Sequence, residues 1–152
     1  MAQEIKRLYA GEKITKILTV EASGIAIASM TGYVLGCPLI FAKKGRSRNI
    51  SESVYSCEVP SFTHGNVNTI LVSKEYLCAG DRVLLVDDFL ATGAALKGLN
   101  SIVQQAGATV VGAVAEVEKV FQGGGDMLRR EGMRVEALAR IASMSDTDLT
   151  FC

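Results

Sequence analysis

The sequence has little of the chemistry that builds metal centres or crosses membranes. It contains one histidine, His64, and four cysteines, none of which has CxxC or other metal-ligand spacing. A zinc site is therefore not expected, and the cysteines are interpreted as reduced thiols. No apolar run approaches the ~20 residues that span a bilayer. The first residues also lack the hydrophobic segment of a secretory signal, so we expect a cytoplasmic protein.

An excess of charge of either sign is also missing, because 16 basic residues balance 16 acidic ones. No overall field therefore favours nucleic acid or an anionic membrane. Neither GxxxxGK[ST] nor GxGxxG occurs, so the motifs of P-loop and dinucleotide-binding proteins are absent. The 152 residues, 49% of them hydrophobic, fit one globular domain spanning residues 1–152.

Strand-like and helix-like patterns alternate along the chain. Strands are predicted at residues 14–20, 38–42, 68–73, 82–86, 109–117 and 134–141, the last as an edge strand because of its charges. Helices are predicted at residues 3–9, 24–35, 93–106 and 126–131, and a mainly polar stretch at residues 43–63. This order favours an α/β fold with a mostly parallel twisted sheet flanked by helices. Ligands of such sheets bind at the carboxyl ends of the strands.

The segment RVLLVDDFLATGAAL, residues 82–96, combines two features of a sugar-phosphate site. An apolar strand delivers two carboxylates, Asp87 and Asp88, to its carboxyl end. A turn of small residues then leaves backbone N–H groups free at a helix N-terminus, where a phosphate can bind. Carboxylates suit sugar hydroxyls and the amides suit a phosphate.

Two other interpretations of the acid pair fit the sequence less well. Helix capping fits poorly, because the predicted helix begins near Gly93 and adjacent carboxylates repel each other. A phosphoacceptor receiver domain also has paired acids, but there they follow the first strand, whereas here they lie past mid-chain. The run Gly123 to Gly125 is interpreted as a turn, with ligand contact as the alternative.

The block at residues 83–95 resembles the phosphoribosyl pyrophosphate signature of type I phosphoribosyltransferases. Further segments resemble bacterial xanthine phosphoribosyltransferases and occur in the same order. They are EASGIA (21–26), FAKK (41–44), SFT (61–63), QQAGA (104–108), EKVFQ (118–122) and RVEALARI (134–141). The likeness extends over nearly the whole chain, from about residue 14 to residue 151.

The resemblance implies roles for the acid pair and the turn. Asp87 and Asp88 would hold the ribose 2- and 3-hydroxyls, directly or through water on a Mg²⁺ ion that arrives with the substrate. The 5-phosphate would be held by the backbone amides of the turn and by the Thr92 hydroxyl. The residues of this phosphate site are Ala91, Thr92, Gly93, Ala94 and Ala95. Asp87, Asp88 and Lys44 are the predicted catalytic residues.

The resemblance also assigns the pyrophosphate and base sites. Ser23 and Gly24 match a loop whose unusual peptide geometry turns N–H groups toward pyrophosphate; an ordinary strand-to-helix turn is the alternative. Lys43 and Lys44 match a basic pair that opens a mobile loop.

Lys119 matches a lysine that donates to the purine O6 in 6-oxopurine enzymes, and Phe89 would pack on the purine face. A solvated lysine and a core aromatic are the alternatives. The position that carries an aspartate in some relatives is Ala91, so no side chain is an obvious general base.

The activity implied is purine salvage: transfer of the phosphoribosyl group from phosphoribosyl pyrophosphate to a 6-oxopurine, with xanthine favoured, by a homodimer. Family members carry a further segment before the position of Ile14, which builds part of a hood over the base, and this segment is expected to be largely missing here. A wrongly assigned start, a truncated paralogue, or an activity needing less hood would explain this. Alternative functions are a non-catalytic phosphoribosyl pyrophosphate or nucleotide sensor, an adenine phosphoribosyltransferase-like enzyme, and a damaged paralogue acting through its dimer partner.

Overall fold

The computed structural model describes residues 1–45, 53–60 and 67–152. Much of the predicted mobile loop, the match at residues 61–63 and His64 lie outside the described residues. The strands β1 to β8 are Lys16–Val20, Leu39–Gly45, Val54–Pro60, Val67–Ser73, Arg82–Leu90, Thr109–Lys119, Val135–Met144 and Leu149–Phe151. The helices α1 to α4 are Ala2–Leu8, Ile25–Leu35, Ala94–Gln105 and Gly124–Arg130. A 3-10 turn, Val120–Gln122, joins β6 to α4.

The strands of the described residues form one sheet in the order β3-β4-β2-β1-β5-β6-β7-β8. The central strands β2, β1, β5, β6 and β7 are parallel, and the outer pairings β2–β4, β3–β4 and β7–β8 are antiparallel. The predicted fold class is therefore confirmed. The chain runs outward from β1 to β2 and outward from β5 to β7, so the strand order reverses between β1 and β5. Open α/β sheets bind ligands in the crevice at such a reversal.

Strand β5 occupies the centre of the molecule because its apolar residues face both sides of the sheet. Val83 and Leu85 pack in the cluster that contains α3, and Leu84 and Val86 pack in the cluster that contains α1 and α2. All four are fully buried. A parallel strand covered on both faces is a continuous apolar run rather than an alternating one. This burial holds the following acid pair at a fixed place on the sheet edge.

Tyr9, the residue after helix α1, connects this helix to the sheet. The buried Tyr9 hydroxyl donates to the Ala113 carbonyl oxygen at 2.9 Å, and the Arg134 guanidinium lies 4.3 Å from the Tyr9 ring centre. A Cβ atom at Gly112 would lie 2.6 Å from the Tyr9 hydroxyl oxygen, so glycine makes room for the ring. Burial raises the pKa of Tyr9.

Two predictions about the strands were wrong. Residues 134–141 were predicted to form an edge strand, but β8 pairs with β7 and covers that edge. Residues 43–63 were predicted to be a mainly polar stretch, but β2 continues to Gly45 and β3 lies at residues 54–60. Both missed strands lie at the ends of the sheet, where most of their side chains are partly or fully exposed and the hydrophobic pattern is weak. None of the described helices is long and apolar enough to cross a membrane.

Candidate active site

The acid pair lies where β5 reaches the carboxyl edge of the sheet, facing the end of β1. Asp87 is only 5% exposed, whereas Asp88 is half-buried. The Asp88 backbone N–H donates to Asp87 Oδ1 at 3.1 Å. Among the residues that the structure describes, no ion pair to Asp87 is found. Within the described part of the chain, Asp87 is thus buried at the crevice without a direct ion-pair partner.

Burial changes the chemistry of this carboxylate. The pKa of Asp87 is raised to about 7, mainly by removal from water and then by the hydrogen bond and negative charge of Asp88. The Asp88 backbone N–H and the positive charge of Lys44 act in the opposite direction, with smaller effects. A group that brings positive charge or hydroxyl donors to this edge would favour the ionised form.

The turn after β5 forms one wall of a cavity of about 190 Å³. Gly93 adopts φ of 82°, and α3 begins directly after it. No described side chain caps this helix end, and its first turn contains no acidic residue. The N–H groups of the first turn of α3 have no acceptor within the helix, so this helix end is suited to bind an anion. The predicted phosphate residues all line the cavity, and they are Ala91, Thr92, Gly93, Ala94 and Ala95.

The loop before α2 approaches the acid pair very closely. A Cβ atom at Gly24 would lie 2.4 Å from Thr19 Oγ1, which is a collision, and 3.0 Å from Asp87 Oδ1, which is a tight contact. Ser23 is exposed next to it. The peptide bond between Glu21 and Ala22, at the start of this loop, is cis.

The two predicted lysines of β2 lie in different surroundings. Lys44 lines the cavity beside Asp87, and its backbone N–H donates to Glu21 Oε1 at 2.6 Å, which joins β2 to the loop before α2. Lys43 instead lines a larger, mostly apolar groove of about 680 Å³ that contains none of the predicted phosphate residues. The structure therefore brings Lys44 into the candidate site and leaves Lys43 outside its cavity.

On the β6 side of the acid pair, Lys119 and Phe89 form a second contact surface. Lys119 is the last residue of β6, and its Nζ atom lies 5.2 Å from the centre of the Phe89 ring. Phe89 is 49% exposed and also lines the cavity. An exposed ring beside an ammonium group offers a stacking surface and a hydrogen-bond donor to a flat heterocycle.

The acid pair also suits a divalent cation that is delivered by a substrate. Asp87 and Asp88 offer carboxylate oxygens, the ligand type that Mg²⁺ prefers. Within the described part of the chain, no group of three or more His, Cys, Asp or Glu side chains forms a metal site. Mg²⁺ commonly uses one or two carboxylates together with substrate phosphates and water. These residues therefore fit Mg²⁺ that is brought in by a polyphosphate.

Three contributors to the site were missed in the sequence. Glu21 accepts a hydrogen bond from the Lys44 backbone N–H, and the Thr19 hydroxyl lies directly against Gly24 of the loop before α2. Asn68 of β4 lines the cavity. Thr19 is fully buried, and its hydroxyl has no hydrogen-bond partner among the described residues. Glu21 is the first residue of the segment at residues 21–26 that resembles the family, and was open to prediction. Thr19 and Asn68 belong to strands whose patterns indicate only burial.

Comparisons with known proteins agree with this geometry. A family model described as phosphoribosyl transferase domain matches residues 1–123. The xanthine phosphoribosyltransferase of Brevibacillus brevis is 52% identical over 151 residues, which are 99% of this chain and 77% of the relative. That of Alkaliphilus metalliredigens is 48% identical, over 99% of this chain and 75% of the relative.

Solved structures share the fold at lower identity. An adenine phosphoribosyltransferase from Giardia lamblia, complexed with 9-deazaadenine, matches with a TM-score of 0.81 and 23% identity. The match covers 91% of this chain and 76% of that one. The adenine phosphoribosyltransferase of Thermoanaerobacter pseudethanolicus matches with a TM-score of 0.78 and 23% identity, over 91% and 77%. At this identity the likeness shows the fold alone. The family match and the sequence relatives go further: this chain belongs to the phosphoribosyltransferase family and is an enzyme of that family, as its sequence predicted.

Proposed function

We propose that this enzyme transfers the 5-phosphoribosyl group of phosphoribosyl pyrophosphate to xanthine, giving the nucleoside monophosphate and pyrophosphate. The observation that carries the proposal is the cavity in which a buried carboxylate and an uncapped helix N-terminus meet. The identity of about half with xanthine phosphoribosyltransferases over 99% of the chain supports the choice of base. The adenine enzymes share only the fold and give no support for adenine.

The donor would bind along the β5 edge. Asp87 and Asp88 accept the ribose hydroxyls, and the turn amides with the Thr92 hydroxyl hold the 5-phosphate. A phosphate gains there from the free N–H groups and from the positive end of the α3 dipole. Pyrophosphate faces Ser23, Gly24 and Lys44, and Lys43 contributes charge from the neighbouring position. Mg²⁺, when bound with the substrate, neutralises the charge that builds up on the leaving pyrophosphate.

The purine would bind at the β6 side of the acid pair. Phe89 offers its exposed ring to the purine face, and the Lys119 ammonium, 5.2 Å from that ring, donates to the 6-oxo group. A lysine at this place favours an acceptor at position 6 over the amino group of adenine, because an ammonium group has no lone pair to accept a hydrogen bond. The enzyme thereby distinguishes oxopurines from adenine by the hydrogen-bonding group at position 6 rather than by the size of the base.

Catalysis would come from positioning and electrostatics. Displacement at the anomeric carbon passes through an oxocarbenium-like state, so the protein must align the base and stabilise the leaving group. Position 91, which carries an aspartate in some relatives, is alanine here, so the base loses its proton to solvent or binds already deprotonated. Asp87 in its ionised form places negative charge beside the ribose, where the positive charge develops.

The assay measures release of pyrophosphate from phosphoribosyl pyrophosphate in the presence of Mg²⁺. Xanthine, hypoxanthine, guanine and adenine are each tested as the acceptor. We expect turnover with xanthine and least with adenine. The double variant Asp87→Asn with Asp88→Asn should fold but release no pyrophosphate, and full activity in that variant would refute the site. Binding of phosphoribosyl pyrophosphate without turnover on any purine would instead support a non-catalytic sensor.

We also propose that the enzyme is a cytoplasmic homodimer in which a second copy covers the apolar groove beside β2. Phe41 and Tyr76 line this groove and are 40% and 55% exposed, an apolar surface that a neighbouring subunit would bury. Because the net charge of the chain is zero, two copies do not repel each other through their total charge. Sedimentation velocity should show a dimer for the wild type and a monomer for Phe41→Glu. A monomeric wild type at micromolar concentration would refute the dimer.

A further inference from the structure

Helix α4 is packed against two parts of the site at once, through two consecutive glycines. A Cβ atom at Gly124 would lie 2.4 Å from the Ala91 carbonyl oxygen and 2.4 Å from the Gly93 nitrogen. The Gly124 N–H also donates to the Ala91 carbonyl at 3.1 Å. A Cβ atom at Gly125 would lie 1.9 Å from Glu118 Oε1. Neither position has room for a side chain, so the helix lies against both the phosphate turn and the end of β6.

A cluster of charges holds the same helix at the end of β6. Glu118 is 1% exposed, and its carboxylate accepts from Arg129 of α4 at 2.6 and 2.8 Å. Arg140 of β7 donates to the same carboxylate at 3.0 Å. These hydrogen bonds, foremost those from Arg129, hold the pKa of Glu118 below its ordinary value. A forked, bidentate pair of this kind fixes direction as well as distance.

The residue after Glu118 is Lys119, the proposed base contact. Successive side chains of a strand point to opposite faces, so the carboxylate points into the charge cluster while the ammonium group points to Phe89. Fixing Glu118 therefore fixes the strand end from which Lys119 extends. The same helix that holds Glu118 also supports the phosphate turn.

We propose that one positioning unit, the α4 anchor, sets Lys119 at a fixed separation from the phosphate turn, residues 91–93. The α4 anchor consists of Glu118, Arg129, Arg140, Gly124 and Gly125. This inference rests on the proposed function, because it assumes that Lys119 contacts the base and the turn contacts the 5-phosphate. The anchor touches neither ligand. It acts by keeping the base site and the phosphate site in register, so that a nucleotide spans both without rearrangement of the protein.

Binding of two ligands tests the proposal without requiring turnover. Ribose 5-phosphate reports on the ribose and phosphate contacts without the base site, and xanthosine 5-monophosphate reports on these contacts and the base site together. Calorimetry should show that Glu118→Gln, which keeps the side-chain shape, weakens xanthosine 5-monophosphate about tenfold and ribose 5-phosphate less than twofold. Gly124→Ala should weaken both ligands, because it disturbs the turn directly.

The matched control is Glu131→Gln, which removes an exposed ion pair of 2.6 Å between Lys97 and Glu131, the residue directly after the same helix. It should leave both affinities unchanged. Arg129→Lys keeps a positive charge but loses the fork, and should fall between Glu118→Gln and the wild type. Thermal melts show whether each variant is folded at the assay temperature, and Arg140→Lys replaces any variant that is not.

The outcomes separate this inference from the proposed function. If the wild type binds xanthosine 5-monophosphate more tightly than ribose 5-phosphate, and Glu118→Gln melts earlier but keeps both affinities, the cluster is only structural and the inference is overturned. If the wild type binds the two ligands equally, the base site itself is wrong and the proposed function fails with it. In the steady-state assay, support for the inference is a raised KM for xanthine with the KM for phosphoribosyl pyrophosphate unchanged.

Discussion

Replacing Asp87 by asparagine should stabilise the ligand-free enzyme while abolishing its activity. The carboxyl group is 5% exposed and has no ion pair among the described residues, and its pKa rises from 3.8 to about 7. A carboxyl group with a raised pKa binds protons more tightly in the folded than in the unfolded state. It therefore makes its most favourable contribution below the unfolded pKa near 3.8, and stability falls as the pH rises from there to about 7.

The size of the effect follows from the shift. One pKa unit corresponds to about 1.4 kcal/mol, so an ionised Asp87 costs the ligand-free protein about 4 kcal/mol at pH 8. Asparagine carries no charge at any pH and avoids this cost. The variant should thus be nearly as stable as the wild type at pH 4 and more stable by about 4 kcal/mol at pH 8. For a domain of this size that corresponds to roughly 10 °C in Tm.

The assay is thermal unfolding at pH 4, 6 and 8 without Mg²⁺ or phosphoribosyl pyrophosphate. Asp146→Asn, at an exposed position near the carboxyl terminus, is the matched control and should change Tm little at any pH. Pyrophosphate release by Asp87→Asn should be lost under all conditions. A Tm difference that does not grow with pH, or an Asp87→Asn variant less stable than the wild type at pH 8, would refute the reasoning.

Further predictions concern the base contact, the turn and helix α1. Lys119→Met should raise the KM for xanthine about tenfold, the worth of one charge-assisted hydrogen bond, with little change in the KM for phosphoribosyl pyrophosphate in steady-state kinetics. Gly93→Ala should destabilise the protein by about 1–3 kcal/mol in urea unfolding, because φ is 82° and the added Cβ would lie 3.2 Å from the Gly124 carbonyl oxygen. Tyr9→Phe should lower stability by about 1 kcal/mol through loss of the bond to Ala113, with kcat unchanged; a fall in kcat would contradict a purely structural role.

The sequence allowed the central strands, the acid pair at the end of β5 and the turn before α3 to be predicted, because all of these depend on local pattern. The apolar run of β5 required burial on both faces, and the acids and small residues that follow it required a strand end and a helix start. The helix α4 begins two residues earlier than predicted, at Gly124, because the glycines that indicated a turn form its first residues. Their small size serves packing against the turn and Glu118 rather than chain reversal.

What the sequence did not reveal depends on contacts between distant elements. Strand β3 is defined by its pairing with β4, from Val54 opposite Ser73 to Pro60 opposite Val67, and its own residues alternate too weakly to indicate a strand. The charge cluster on Glu118 draws its partners from α4 and β7, 11 and 22 residues further along the chain. Nothing in the spacing of those residues indicates that they meet. Spatial proximity of this kind comes from the sheet register, which places Glu118 opposite Arg140.

Glu118 and Asp87 are buried acids near the carboxyl ends of adjacent strands, yet their pH dependence should have opposite sign. Glu118 is paired with two guanidinium groups and its pKa is lowered, so its contribution to stability is present above about pH 4.5 and is lost as the pH falls through the lowered pKa. Asp87 is unpaired by described residues, and its contribution is lost as the pH rises. Glu118→Gln should therefore lower Tm at pH 7 and have a much smaller effect at pH 3, the reverse of the trend for Asp87→Asn. Measuring Tm of both variants across the same pH series distinguishes an acid whose charge is balanced within the fold from one whose charge is balanced only when a ligand binds. If the two curves run in parallel, the assignment of one acid to the fold and the other to the substrate is wrong.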